Sequence, residues 1–110
     1  MEVSREMVSG KSNGETYSLS EGTRKVTGSI WVTKWNKDLD ISEIDVNVVL
    51  YKSNSIWIDS RIQGTTVTVN KNGNSKSFSM SKTNQKKGTY YLYFSKPHNN
   101  TTVEGSGSIN

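Results

Sequence analysis

The stretch Ile44-Asp45-Val46-Asn47-Val48-Val49-Leu50-Tyr51 constrains this chain more than any other. Ile44, Val46, Val48 and Leu50 fall on one parity, and Asp45, Asn47, Val49 and Tyr51 on the other. A helix would scatter the first four around its circumference, whereas a strand sends them all to one side. The segment is therefore predicted as a strand with one face on a core. The same period recurs elsewhere. Val26, Ile30 and Val32 alternate with Thr27, Ser29, Trp31, Thr33 and Trp35, and Phe78 and Met80 alternate with serines. Tyr90, Leu92 and Phe94 alternate with Tyr91 and Tyr93. Composition agrees: only 31% of the chain is hydrophobic, alanine is absent, and Thr, Ser, Asn, Gly and Lys fill the remainder. Strands accept that mixture, while helices favour the Ala, Leu, Glu and Gln that are scarce here.

Turn signals separate the runs at Glu21-Gly22, Lys52-Ser53-Asn54-Ser55, Gln63-Gly64, Lys86-Lys87-Gly88 and Pro97-His98-Asn99-Asn100. Asn72-Gly73, within Asn70-Lys71-Asn72-Gly73-Asn74, is the clearest hairpin signal, because both residues tolerate the positive φ that tight turns require. About eight strands at this spacing predict an all-β fold, a single antiparallel β-sandwich of jelly-roll or Ig-like form. It is expected over residues 16–110, behind a loosely ordered N-terminal arm over 1–15 with a short edge strand near Met7-Val8. The expected core is Leu19, Val26, Ile30, Val32, Ile44, Val46, Val48, Leu50, Ile56, Ile58, Ile62, Val67, Val69, Phe78, Met80, Tyr90, Leu92 and Phe94.

Several functions are excluded by what the chain lacks. Without cysteine there is no disulfide scaffold, thiolate zinc site or cysteine nucleophile. The sole histidine, His98, sits in a turn, and no Gly-x-Ser-x-Gly nucleophile elbow occurs, so no enzyme activity is expected. No segment reaches the ~18 apolar residues of a membrane-crossing helix, and Met1 to Arg5 lack the hydrophobic segment of an export signal. The net charge of +4 comes from dispersed lysines rather than a basic run, which reads as a solvated surface. Asp38, Asp40, Glu43 and Asp45 form the one carboxylate cluster; alternating acids in a connection suit calcium, the only cofactor considered.

The feature that points toward function is aromatic. By parity Trp31, Trp35, Tyr51, Trp57, Tyr91 and Tyr93 face away from the core, where large apolar rings need a partner. The first four come from strands adjacent in sequence, which usually pair, so a single aromatic face is expected. Such rings stack on the apolar faces of sugars, and Asp59, Arg61 and Asn47 would bond hydroxyls. A bulge at Gly28 would reverse Trp31 and Trp35, whereas Trp57 lies on a stretch free of glycine from Ile56 to Gln63. Asp45 and Asp59 on the same face repel phosphate, so no nucleic-acid partner is expected.

Lys87-Gly88-Thr89-Tyr90-Tyr91-Leu92-Tyr93-Phe94-Ser95 resembles the "GTYYL" strand of small bacterial extracellular β-sandwich modules. Val103-Glu104-Gly105-Ser106-Gly107-Ser108-Ile109 is similar to their Gly-Ser-rich final strand, and Val46 to Tyr51 to their "V-x-L-Y" strand. The families are the prepeptidase C-terminal and Ig-like accessory domains of secreted enzymes. The resemblance implies an extracellular, non-catalytic module. Together with the aromatic face, it gives a secreted module for cell-surface or cell-wall glycans. The rivals are a small cationic toxin-like or antimicrobial effector acting at a membrane surface, and a structural module whose aromatic face buries in a homo-oligomer.

Overall fold

The computed structural model describes residues 2–3, 7–9, 16–36, 38, 42–54, 58–97 and 101–110. Within them the strands are β1 (Glu2–Val3), β2 (Met7–Ser9), β3 (Thr16–Leu19), β4 (Gly22–Lys34) and β5 (Glu43–Lys52). They continue with β6 (Ser60–Asn70), β7 (Lys76–Gln85), β8 (Gly88–Ser95) and β9 (Thr102–Ile109). The fold is an all-β sandwich of two antiparallel sheets. The first sheet runs β1-β9-β4-β7, and the second runs β2-β8-β5-β6, with β3 following β2 along the same side of β8.

The alternation in β5 does what its parity demands: Ile44, Val46, Val48 and Leu50 are buried, and they meet Val67 and Val69 from β6 and Leu92 and Phe94 from β8. Val26, Ile30, Val32, Phe78 and Met80 cover that layer from the first sheet, joined by Val103 and Ile109 of β9. Burying a side chain of this size contributes roughly 1.5–3 kcal/mol, so the two interleaved faces hold the sandwich together. Tyr17 and Leu19 of β3 pack on the rim, and the Tyr17 hydroxyl donates to the Gly107 carbonyl across the sheets at 3.0 Å.

Two expectations are corrected, and one alternative falls. Asn72-Gly73 does turn the chain, with Gly73 at φ +78° and its N–H donating to the Asn70 carbonyl, but β6 and β7 belong to different sheets. The turn is a crossing between layers, since turn chemistry is local and sheet membership is not. Ile58 is 94% exposed; β6 starts only at Ser60, so Ile58 and Asp59 lie ahead of the strand, and Ile56 lies outside the described residues. Gly28 is no bulge. It pairs in register with Phe78 on one side and Gly107 on the other.

Candidate ligand-binding face

The shift that matters in β4 falls between Val32 and Lys34, where Val32 pairs Val103 but Lys34 pairs Thr102. One extra residue in β4, Thr33, inverts the parity of whatever follows. Trp31, before the shift, stays on the outer face opposite Glu104, half-buried. Trp35, after it, turns inward and packs against the core. The expected single aromatic face fails for a second reason as well. β4 and β5 are consecutive in sequence but lie in opposite sheets, so Trp31 and Tyr51 point away from each other on the two outer surfaces. Trp57 lies outside the described residues.

The outer face of the second sheet does gather the tyrosines. Tyr51 of β5 pairs with Tyr91 of β8 and with Arg61 of β6. Its ring stacks on Tyr91 at 5.5 Å and 11°, and meets Tyr93 edge-on at 5.8 Å and 74°. Both geometries suit the aromatic quadrupole and contribute about 0.5–1.5 kcal/mol per pair. Tyr91 was expected outside and does lie on the outer side, yet it is 6% exposed. Tyr51 covers it, and β3 runs alongside, pairing Thr16 with it. Its hydroxyl donates to Asp59 Oδ2 at 2.6 Å, while Asp59 Oδ1 accepts the Asn54 N–H at 2.9 Å. Burial first, then this bond and the nearby charge of Asp59, push the Tyr91 phenol well above the usual tyrosine range. Tyr91 is thus the neutral floor on which Tyr51 rests.

A second register shift shapes the rest. Leu50 pairs Gln63 and Tyr51 pairs Arg61, so Ile62 is the extra residue, partly buried against the core, and Arg61 emerges on the outer face. Two positions along, Gly64 sits opposite Val49. A Cβ at Gly64 would lie 2.5 Å from Arg61 Nη2 and 3.3 Å from Val49 Cγ2, so the guanidinium lies across the glycine. Asn47, Val49, Tyr51, Arg61, Gly64, Thr66, Tyr93 and Ser95 line an open groove of about 460 Å³, within the ~300–1,000 Å³ of small-molecule sites. Sequence reasoning brought Tyr51, Tyr93, Arg61 and Asn47 here but missed Gly64. A lone glycine in a β-branched strand is the signal for a bulge or a close approach.

The acidic cluster is described only in part. Glu43 and Asp45 lie on β5, with Asp45 Oδ1 accepting the Thr68 hydroxyl at 2.6 Å; Asp38 sits in the connection before it, and Asp40 lies outside the described residues. Among the described residues no three carboxylate, imidazole or thiol groups gather as a metal site.

No family model matches the chain, so none supports the prepeptidase C-terminal or Ig-like resemblance, and no curated protein matches it. Among solved structures the chain is similar to a carbohydrate-binding module, "CBM4 structure and function", with a TM-score of 0.59 at 12% identity. The match covers 94% of this chain and 61% of that one, so the chain spans less than two thirds of its neighbour. At that identity the likeness is one of fold: the chain shares its β-sandwich with a carbohydrate-binding module.

Proposed function

We propose that this chain is a non-catalytic glycan-binding module whose ligand lies in the groove between Tyr51, Tyr93 and Arg61. The observation that carries the reading is the pairing of two half-exposed tyrosine rings with polar groups around an open, preformed depression on a sheet face. Sugars present apolar C–H faces edged by hydroxyls, and rings beside amide and guanidinium donors match both parts. The shared fold with a carbohydrate-binding module supports it.

Calorimetric titration of a panel of soluble plant, fungal and bacterial wall oligosaccharides tests this. At least one should bind, and Tyr51→Ala should weaken it tenfold or more while the variant keeps the parental far-UV spectrum. Silence across the panel, or unchanged affinity in a folded Tyr51→Ala protein, would remove the proposal.

A further inference from the structure

The groove is one-sided in its charge. On the same face Asp45 accepts from Thr68, and Asp59 accepts from both Tyr91 and the Asn54 N–H, but neither lines the groove. The Asn47 Oδ1 accepts the Thr66 hydroxyl at 2.8 Å. The lining holds hydroxyls, which donate and accept, and a single charged group, which only donates. That group is Arg61. It is exposed, and no hydrogen bond or ion pair holds it among the described residues. It does not wave in solvent either: the missing Cβ of Gly64 lets its guanidinium lie against the sheet beside Val49, and Arg61 is itself the register partner of Tyr51.

A guanidinium carries five donors, no acceptor and a permanent charge, in a fork that matches a carboxylate. A neutral sugar offers only hydroxyls, which bring no charge to set against the guanidinium. A sugar bearing a carboxylate supplies the fork's acceptors and the missing counter-charge together. The like charges of this face, Asp45 and Asp59, stand outside the groove lining, bonded to Thr68 and to Tyr91 and Asn54. The overall charge of +4 favours its approach. Resting on the glycan-binding reading above, we infer that the ligand is an acidic glycan, with a uronate carboxylate seated on Arg61 and its ring against Tyr51 or Tyr93.

The test uses the whole chain and matched probes: galacturonate, mannuronate and glucuronate oligomers, each beside its carboxyl-reduced neutral counterpart. At least one acidic oligomer should bind tenfold or more tightly than its reduced form. Arg61→Gln should erase that preference while retaining the parental thermal midpoint. Gly64→Ala should reduce it too, by lifting the guanidinium off the sheet. Equal affinity for an acidic oligomer and its reduced form overturns the inference and leaves the glycan reading standing. So does a preference that survives Arg61→Gln, since the surface lysines would then be its source. If no glycan of either kind binds, both fall.

Discussion

The first sheet turns glycine toward the core and hydroxyls toward water, whereas the second turns aromatic rings in both directions. On the inner side of β4 and β9, Gly28, Gly105 and Gly107 interrupt Val26, Ile30, Val103 and Ile109. On the outer side Thr27 pairs with Ser79 and Ser108, and Ser29 with Ser77 and Ser106, a layer of short side chains. The inner side of β8 carries Tyr90, Leu92 and Phe94, and its outer side Tyr91 and Tyr93. A thin sheet lets bulky neighbours reach its backbone. Phe78 and Phe94 meet edge-on at 6.2 Å in the space the glycines leave. The groove, by contrast, arises where the second sheet loses its regular ladder, at the Ile62 shift and Gly64. Over Thr27 and Ser29 regular pairing gives a smooth face, and on the second sheet the break at Ile62 near Gly64 gives relief that a ligand can use.

Thickening the thin sheet should produce the largest effect. A Cβ at Gly28 would press on the Ser106 carbonyl and stand 2.5 Å from Phe78 Cζ and 2.9 Å from Gly107 Cα. Two of those neighbours are backbone and the third is a buried ring, so none can move aside easily. Gly28→Ala is expected to cost about 3 kcal/mol, the upper end of overpacking penalties, read as a lower urea midpoint. A loss below about 0.5 kcal/mol, the range of an ordinary surface change, would mean that the first sheet is not held as tightly as its register implies.

On the second sheet the sharpest probe is Tyr91→Phe. It removes the bond to Asp59 but keeps the ring under Tyr51. The expected cost is roughly 1.5 kcal/mol, the low end for a hydrogen bond to a charged group. Its pH dependence carries the diagnosis. The phenol titrates higher in the folded protein than its ordinary 10.0, so folding favours the protonated form. That contribution is complete below the unfolded value near pH 10 and is lost as pH climbs toward the raised folded value. The stability gap between parent and Tyr91→Phe should therefore hold steady through neutral pH and narrow above about pH 10. A gap that stays constant into strong alkali would show that Tyr91 is not shielded by Tyr51 and Asp59.

The parts of this molecule that sequence reveals are those set by period two. The strand β5 is legible to within one residue at each end, Ile44 to Tyr51 against Glu43–Lys52, because four aliphatics on one parity point to a strand. Partners were harder. Asn72-Gly73 announces a turn, yet nothing local says whether the chain returns to the same sheet or crosses to the other, and it crosses. Parity also fails wherever one residue is added. Thr33 turns Trp35 inward against its expected parity, whereas Ile62 and Arg61 keep theirs and the shift falls between Ile62 and Gln63; each shift depends on the partner strand rather than on its own sequence. Burial of charge was equally hidden. Arg24 is 3% exposed because its guanidinium lies 4.7 Å over the Tyr90 ring and bonds the Ser20 carbonyl, contacts across elements that spacing does not announce. Within the candidate site the tyrosines were legible as outward aromatics, while the groove needed Gly64 and a register shift to exist.

The smallest expected effect is the most telling about the two faces. Trp31 is the one tryptophan that remains on an outer surface among the described residues, and it stands on the smooth sheet. Its register neighbour on β9 is Glu104, and Ser29 and Thr33 flank it on the same side of β4, so among the described residues no second ring stacks on it. A lone half-exposed indole contributes mainly the area it covers. Trp31→Ala should therefore change stability by no more than about 1 kcal/mol and leave the affinity for any groove ligand within a factor of two. Tyr51→Ala, on the other sheet, should weaken it tenfold or more. The pair compares an aromatic that stands by itself with one that stacks on two rings beside the groove. Should Trp31→Ala weaken glycan binding as much as Tyr51→Ala, the ligand would have to span both outer surfaces. Because those surfaces face opposite ways across the core, one bound oligosaccharide would then need to wrap the edge of the sandwich, and the groove would be only part of the site.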